Sequence, residues 1–321
     1  MTLGSLSHSA FNPAGLQAAR IARLTWILLG TTTIVFVIVL AVLAWAVVVG
    51  NRRREQPAVD PPPSDVGLTG AVSGAAVVTV FIIIALMGAS IWTDRVLASL
   101  HASNALTIAI TGHQWWWELQ YENNTPSLRV QSANELHIPT GQPVLLKLAS
   151  ADVIHSFWAP SLHGKRDLIP GYTTTVWIQA DRPGIFRGQC AEFCGRQHAH
   201  MAFSVVAEGQ DQFNHWLDAQ RATPPAPVTD LERRGQQVFL SYTCSSCHTI
   251  LGTEAHGHVG PTLTHIASRG TIGADTLTAT HRGLAAFIRN PQSAKPGNYM
   301  PPNTLSTADI DALVAYLQSL Q

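Results

Sequence analysis

Residues 188–201, GQCAEFCGRQHAHM, concentrate two thiols, two imidazoles and a thioether in one short segment. Cys190 and Cys194 are separated by three residues, His198 follows four residues later, and Met201 three residues beyond that. In a compact loop these four side chains can converge on one point. Thiolate, imidazole and thioether are soft or borderline metal ligands, and such a set favours copper while permitting zinc. The spacing therefore predicts a copper site.

The second thiol of this segment decides between one copper and two. A blue-copper site uses one thiolate, two imidazoles and a weak axial methionine, so a second thiolate would be surplus. Two coppers bridged by both thiolates would use it, but they need another imidazole. The candidate is His155, in DVIHSFW at residues 152–158, at the end of a predicted strand. A structural zinc site and a disulfide between Cys190 and Cys194 are the alternatives that the residues leave open.

The segments DVIHSFW and CAEFCGRQHAHM together resemble the copper A signature of subunit II of cytochrome c oxidase. The resemblance implies a cupredoxin-like domain that holds a binuclear copper centre. It also implies that the Glu192 carboxylate helps to hold magnesium at the interface with subunit I, whereas His200 matches no ligand of the family. By the resemblance, the copper ligands are the side chains of His155, Cys190, Cys194, His198 and Met201 and the backbone carbonyl of Glu192.

The other two cysteines of the chain lie in CSSCH, residues 244–248. Cys244 and Cys247 can form thioethers to haem vinyl groups while His248 reaches the iron, which is the pattern of covalent haem c attachment. A thioredoxin-like pair and half of a zinc site are the alternatives, but their βαβ setting and further ligands are missing. Met300, in NYMPP, is the predicted sixth ligand and would raise the reduction potential. Four further histidines are expected to be surface or packing residues: His256, His258, His265 and His281.

The soluble part of the sequence divides into two predicted domains. Residues 104–218 alternate short apolar runs with turn formers, which predicts an all-β sandwich or barrel. A proline-rich linker follows at 219–229. Residues 230–321 open with the capping box TDLE and close with an apolar helical pattern, which predicts an all-α domain. The resemblance makes the first domain cupredoxin-like and the second a fused cytochrome c domain, in which the Pro261 carbonyl accepts a hydrogen bond from His248.

The aromatic segment GHQWWWE, residues 112–118, resembles the part of subunit II in which the first tryptophan, here Trp115, receives the electron from cytochrome c. On a strand Trp115 and Trp117 share one face and Trp116 takes the other, so all three cannot be buried in one core. At least one is expected to contact a partner or another domain. The alternative is that all three pack against the membrane-proximal side.

Two runs, residues 24–49 and 66–93, contain no charged side chain. Each is long enough as a helix to cross a hydrocarbon core of about 30 Å. They predict a transmembrane hairpin over 24–95, with the second span at about 68–93, after an N-terminal segment 1–23. The first run exceeds the apolar region of a signal peptide, about 7–15 residues, so we interpret it as a retained anchor.

Arginine placement gives a weak indication of orientation. Arg52, Arg53 and Arg54 directly follow the first run and favour a cytoplasmic loop, although Arg20 and Arg23 precede it. Covalent haem is attached outside the cytoplasm, which independently favours the same orientation. We therefore expect both termini and both soluble domains on the periplasmic side of a bacterial plasma membrane.

The charge balance of 20 basic and 20 acidic residues gives a net charge of zero and argues against a nucleic-acid partner. The resemblance implies the subunit through which electrons enter a respiratory haem–copper cytochrome c oxidase, an oxygen-reducing and proton-translocating complex. Its partners would be cytochrome c or another respiratory donor, subunit I, further oxidase subunits and the lipid bilayer. The copper A subunit of a nitric oxide reductase and a membrane-anchored, zinc-stabilised structural module are the alternatives.

The second apolar run departs from the family in one respect. Many members carry a glutamate near the start of this helix that feeds protons to the catalytic subunit, whereas residues 66–93 contain no acid. Asp65 is the nearest candidate. The proton route is therefore left open by the sequence.

Overall fold

The structure is a computed structural model that describes residues 8–54, 65–98 and 105–321. One compact unit consists of residues 20–100 and the other of the rest of the chain. Most of the predicted cytoplasmic loop lies outside the described residues.

Two long helices contain the predicted membrane spans, α1 (Leu16–Arg54) and α2 (Asp65–Ala98). By length and apolar composition each can cross a membrane. Their apolar side chains, such as Phe36 and Phe81, are exposed in the isolated chain, as expected of surfaces that face lipid. Both helices extend beyond the predicted spans, because the charged residues that limit the apolar run do not prevent the helix from continuing into water.

A β-sandwich follows, as the sequence predicted. One five-stranded sheet has the order β3-β2-β1-β5-β8 and the other β4-β10-β9-β6-β7. Strands β1 and β5 are parallel, as are β4 and β10, and the other pairs are antiparallel. The strands are β1 (Leu106–His113), β2 (Trp116–Tyr121), β3 (Val130–Ala133), β4 (Glu135–Pro139), β5 (Val144–Ser150), β6 (His155–Trp158), β7 (Arg166–Leu168), β8 (Thr174–Ile178), β9 (Gly184–Cys190) and β10 (Ala202–Glu208).

Alternating apolar residues bury one face of each sheet. In β5, Val144, Leu146 and Leu148 are fully buried, whereas the residues between them are half-buried. Aromatic rings fill the space between the sheets, with Phe203 stacked on Phe157 at a centroid distance of 4.5 Å. This packed core holds in place β9 and β10, the two strands that flank the predicted metal loop.

The core also demands a glycine in β9. A Cβ atom on Gly188 would lie 2.1 Å from the ring of Phe203, so no larger residue fits there without displacing that ring. The glycine lets β9 and β10 pair closely on either side of the predicted metal loop.

The N-terminal segment before the first span packs on the sandwich. The Ala14 N–H donates to the Ser161 carbonyl at 2.7 Å, and the Asp181 N–H donates to the Ala14 carbonyl at 2.7 Å. A Cβ on Gly15 would lie 2.2 Å from the Gln179 carbonyl oxygen, so only glycine permits this approach. The start of α1 is thus attached to the β-domain.

The chain continues as a small helical domain, again as predicted, with an added two-stranded ladder. Helix α3 runs to Arg221, so the stretch between helices begins at Ala222 and not at residue 219. Thr229 and Glu232 form the predicted capping box at the start of α4. Helix α3 (Gln210–Arg221) packs on β3 and β4 of the sandwich, where Phe213 is buried in the sandwich core. The elements of the helical domain are α4 (Asp230–Ser241), α5 (Cys244–Cys247), β11 (Thr271–Ile272), β12 (Leu277–Thr278), α6 (His281–Arg289), α7 (Pro291–Ala294) and α8 (Thr307–Ser319).

The core of the helical domain lies where α8 packs on α4 and α6. Phe239 and Tyr316 are fully buried there, together with Leu313 and Leu284. Gly235 allows α4 to approach α8 closely, because a Cβ atom at this position would lie 2.0 Å from the Ala312 carbonyl oxygen. This packing holds CSSCH in place at the end of α4.

Candidate functional site

The predicted copper ligands converge at one end of the second sheet. His155 begins β6 and Cys190 ends β9, and these strands pair with Phe157 opposite Cys190. The loop from β9 to β10 then returns the remaining donors to the same point. His155, Cys190 and Cys194 are all buried, with their ligand atoms within 4.8 Å of one another.

The separations between donor atoms suit a metal cluster held by two sulfurs. The two Sγ atoms lie 3.8 Å apart. His155 Nδ1 lies 3.9 Å from the first sulfur, and His198 Nδ1 lies 3.7 Å from the second. Met201 Sδ is 3.8 Å from Cys194 Sγ, and the Glu192 carbonyl oxygen is 3.2 Å from Cys190 Sγ. All six predicted donor groups therefore surround one small volume.

The contact between the Cys190 and Cys194 thiols shifts their pKa values in opposite directions. The contact with Cys194 lowers the pKa of the Cys190 thiol, and burial opposes this only in part. The same contact raises the pKa of the Cys194 thiol, and burial raises it further. Metal binding at these two sulfurs would require both thiols to be deprotonated, so it would be coupled to proton release.

His155 is oriented by a carboxylate that the sequence analysis did not identify. Its Nε2 lies 2.8 Å from Asp152 Oδ1, which leaves Nδ1 toward Cys190. Burial lowers the pKa of His155, but hydrogen bonds with Cys190 and Asp152 outweigh it and the pKa is raised. Asp152 Oδ2 also accepts the Gln114 N–H at 2.7 Å, so one side chain fixes both the imidazole and the turn before Trp115.

Trp115 lies in the turn between β1 and β2 and is 7% exposed. Its indole N–H donates to the Cys194 carbonyl at 2.9 Å, so the ring touches the backbone of a predicted metal ligand. Trp117 is buried in the core, whereas Trp116 is half-buried and stacks on His113. The prediction that one tryptophan contacts another domain is confirmed, because Trp115 stacks on Tyr299 of the helical domain.

The CSSCH segment forms the short helix α5 and ends at His248. The ring Nδ1 of His248 donates to the Pro261 carbonyl at 2.7 Å, as predicted, which leaves Nε2 for an axial bond. Burial lowers the pKa of His248, which keeps the imidazole neutral and able to ligate. Cys244 and Cys247 are free thiols on one helical turn. This donor set fits a covalent haem.

Met300 and the other histidines have different surroundings. Met300 is half-buried in the loop before α8, where its N–H donates to Asn298 Oδ1. His265 is buried, with its ring nitrogens on the carbonyls of Gln321 and Ala222, and is a packing residue as expected. Met300 stays a prediction as the sixth haem ligand.

Family models match both soluble domains. A model for the periplasmic domain of cytochrome c oxidase subunit II matches residues 125–208, and a cytochrome c model matches residues 232–321. Cytochrome c oxidase subunit 2 of Alkalihalophilus pseudofirmus is 33% identical over 326 residues, which cover 99% of this chain and 92% of that protein. The chain belongs to the cytochrome c oxidase subunit 2 family.

Other members of the subunit 2 family cover less of the chain. The cytochrome c oxidase subunit 2 of Bacillus sp. strain PS3 is 32% identical over 68% of this chain and 63% of its own length. A quinol oxidase subunit 2 of Bacillus cereus is 27% identical over 69% of this chain and 76% of its own. The crystal structure of the periplasmic domain of subunit II from Bradyrhizobium japonicum is 28% identical, with a TM-score of 0.35, over 38% of this chain and 97% of that one.

As a subunit 2 protein with a cytochrome c domain, the chain is expected to bind copper and haem c, and both donor sets fit. The cluster around Cys190 and Cys194 consists of sulfur, imidazole and carbonyl donors without a carboxylate ligand, which suits copper. The type and spacing of these ligands were visible in the sequence. Asp152, Gln114 and Tyr299 were missed, because their roles arise from contacts between segments far apart in the chain.

Proposed function

We propose that this chain is the subunit through which electrons enter a respiratory haem–copper oxidase. It relays them from a cytochrome c donor through covalent haem c and a binuclear copper A centre to the catalytic subunit, where oxygen is reduced. The observation that carries the proposal is the presence of both donor sets in one chain, with Trp115 between the copper loop and the helical domain.

The two thiolates would bridge two coppers. Cys190 and Cys194 supply the bridging sulfurs, and each sulfur lies beside one imidazole nitrogen. The thioether of Met201 and the carbonyl of Glu192 complete the donors at opposite sulfurs. Copper held by these residues would supply one-electron chemistry, and the buried side chains of His155, Cys190, Cys194 and Met201 would keep their donor atoms in place.

The haem would be attached through Cys244 and Cys247, and His248 and Met300 would hold its iron. Pro261 fixes the tautomer and orientation of His248. A thioether on the opposite side raises the reduction potential toward that of respiratory donors.

Glu192 is also the candidate for a magnesium contact with subunit I. Its backbone carbonyl belongs to the copper donors, so its half-buried side chain is available for a second role. Carboxylate oxygen is a preferred magnesium ligand. The copper loop would thus touch the catalytic subunit on the side of this residue.

Membrane topology follows from the two apolar helices and the attached N-terminal segment. The contacts of Ala14 and Gly15 with the β-domain support a topology in which the start of α1 would lie on the same side of the membrane as the copper loop. Two spans return the chain to that side. Both termini and both soluble domains would then be periplasmic in a bacterial plasma membrane.

The proposal is tested on the purified complex with two complementary variants. Cys190→Ser is expected to lose copper and oxygen uptake while retaining covalent haem. The double variant Cys244→Ser/Cys247→Ser should lose haem and retain copper. Metal analysis, haem absorbance and parallel oxygen and nitric oxide uptake are the measurements.

The competing functions give different results in the same experiment. Nitric oxide uptake with negligible oxygen uptake would place the chain in a nitric oxide reductase. Zinc in place of copper, with uptake of neither oxygen nor nitric oxide, would identify a structural module and contradict the proposed electron relay.

A further inference from the structure

The loop of residues 295–300, which carries Met300, lies directly on the copper loops. Lys295 at its start is 4% exposed. Its Nζ donates to the carbonyl of Trp115 at 3.0 Å and to the carbonyl of His200 at 2.9 Å. One ammonium group therefore joins the turn before β2, the end of the metal loop and the cytochrome c domain.

This lysine is buried without a carboxylate partner. Among the described residues, no Asp or Glu forms a salt bridge with Lys295. Burial lowers the pKa of Lys295 to about 8, and the Cys194 sulfur opposes this. A buried ammonium costs free energy that carbonyl dipoles offset only when they are well placed. We therefore ascribe to Lys295 a role in positioning the segments that it contacts, rather than a net stabilisation of the fold.

Tyr299 connects the same loop to the copper ligands through ring contact. Its ring stacks on Trp115 with centroids 5.1 Å apart and planes at 25°. Its hydroxyl donates to Gln114 Oε1 at 2.9 Å, and Gln114 Nε2 donates to the Cys194 carbonyl at 2.8 Å. Tyr299, which precedes Met300, is thus connected through Gln114 to the backbone of Cys194, a predicted copper ligand.

Two further contacts fix the loop laterally. Gln197 Nε2 donates to the Pro296 carbonyl at 2.5 Å. A Cβ on Gly297 would lie 2.9 Å from Cδ of Arg196, so the backbone of the loop passes closely over the metal loop. The 295–300 loop therefore contacts the copper domain at several residues along its length.

We propose that Lys295 and Tyr299 are positioning residues for electron transfer between the two domains. Lys295 fixes the 295–300 loop on the copper domain, and Tyr299 holds the ring contact with Trp115 through which the electron passes. The inference rests on the proposed relay. In each passage the haem iron is oxidised by one electron and the copper pair is reduced by one, with no bond made or broken.

Lys295→Met tests the first role in the full chain within its complex. Methionine keeps most of the length of the unbranched side chain, without its terminal ammonium group, and leaves two buried carbonyls without a donor. Backbone hydrogen exchange in residues 112–118 and 194–201 is expected to rise about tenfold or more, as loss of a charged hydrogen bond implies. Lys165→Met, at an exposed lysine, is the matched control and should leave exchange unchanged.

Tyr299 tests the second role with little risk to folding, because the side chain is 69% exposed. After flash reduction of the haem, transfer to copper should slow severalfold in Tyr299→Ala. Tyr299→Phe keeps the ring and should restore most of the rate. Haem and copper contents are measured in each variant, so that a change in rate reports on the contact.

The outcomes separate this inference from the relay itself. Unchanged exchange in Lys295→Met, or a wild-type transfer rate in Tyr299→Ala, would overturn the positioning role. A wild-type chain without any haem-to-copper transfer would overturn the proposed function, and the exchange comparison would still decide whether Lys295 holds the domains together.

Discussion

At the scale of single residues, two of the three predicted cofactor imidazoles, those of His155 and His248, each lie beside a glycine. A Cβ on Gly112 would be 2.8 Å from Cδ2 of His155, and a Cβ on Gly260 would be 2.5 Å from Cε1 of His248. Both positions require glycine because a larger residue would occupy the space beside the imidazole ring. The two rings therefore owe their orientation to the absence of a side chain as much as to their hydrogen bonds.

Alanine at these glycines should affect one cofactor each. Gly112→Ala would push the His155 ring away from Cys190, at a cost of about 1–3 kcal/mol in stability, and reduce copper retention while haem is kept. Gly260→Ala should do the reverse. Copper and haem content per chain and the free energy of unfolding are the measurements, and each variant is the control for the other. Loss of both cofactors in either variant would contradict the local explanation.

Residue identity and spacing, with the family resemblance, picked out donor groups that the structure brings together around Cys190 and Cys194; that these groups bind copper stays a prediction. The positioning residues could not be found in this way. Asp152 stands three residues before His155, but its second partner is the Gln114 N–H, 38 residues away. Lys295 is 180 residues from the carbonyl of Trp115 that it contacts.

At the scale of elements, a buried acid–base cluster joins β4, β10 and α3. His137 Nδ1 lies 2.7 Å from Glu208 Oε1 and its Nε2 3.1 Å from Glu135 Oε1, while Trp216 stacks on the ring at 4.0 Å. Burial lowers the pKa of His137, but the two carboxylates outweigh it and raise the pKa above 6.5. The pKa of Glu135 is lowered: burial raises it, but His137 and the Gly270 N–H outweigh burial.

This cluster predicts a stability that depends on pH. The contribution of His137 is complete below 6.5, its unfolded value, and is lost as the pH rises through the raised folded pKa. The contribution of Glu135 is complete above 4.5 and is lost as the pH falls through its lowered folded pKa. The cluster therefore stabilises the fold most between these two values.

Replacing the imidazole by an amide should remove the upper part of this dependence. The urea midpoint of the wild type is expected to fall from about pH 6 to about pH 8, and that of His137→Gln to change less over the same range. His215→Gln, at an exposed histidine of α3, is the control and should follow the wild type. Parallel curves for wild type and His137→Gln would rule out the cluster as the cause.

Element types were predictable from periodicity and element ends were not. The apolar runs predicted both long helices, but α1 continues to Arg54, because arginine is a good helix former once the chain has left the apolar region. Helix α3 passes residue 218 and ends just before Pro224, whose ring disfavours helix in the preceding residue. The ladder of β11 and β12 is only two residues per strand, too short for a periodic signal.

At the scale of the whole molecule, a second polar contact joins the soluble domains away from the copper loop. Arg187 Nη1 of β9 lies 2.5 Å from Asp275 Oδ2 of the cytochrome c domain, and the Asp275 side chain is almost fully buried. Burial raises the pKa of Asp275, and Arg187 opposes this. Arg187, together with hydrogen bonds from Thr271 and Ser204, therefore favours the charged form of this aspartate in the interface.

Removing one partner should therefore loosen the domains more than removing both. Arg187→Met is expected to weaken their association by about 1–3 kcal/mol, below the cost for a fully buried pair because the arginine is partly exposed. Arg187→Met/Asp275→Asn should recover part of this loss. Hydrogen exchange in β9 and β11 measures the change, with Arg182→Met at an exposed neighbour as the control. Hydrogen exchange as fast in the double variant as in Arg187→Met would show that the ion pair does not hold the two domains together.

The sequence predicted two soluble domains and a linker but could not predict that they dock. No periodicity records which faces meet, and the docking contacts of Lys295, Asp275 and Gly270 are single polar groups in otherwise unremarkable segments. The charge balance of the chain gave no indication either, since the interface uses separate polar contacts, including the single ion pair of Arg187 and Asp275, rather than extended complementary charged surfaces.

The short stretch from Ala222 to Thr229 has a consequence for how fast the copper centre can be supplied. It keeps the cytochrome c domain within a few residues of its docking surface, which corresponds to an effective concentration of order millimolar or above. If the chain relays electrons as proposed, transfer from haem to copper would be a first-order event, independent of the concentration of soluble donor. Scarcity of the external donor would limit how often the haem is refilled, but not the step that follows.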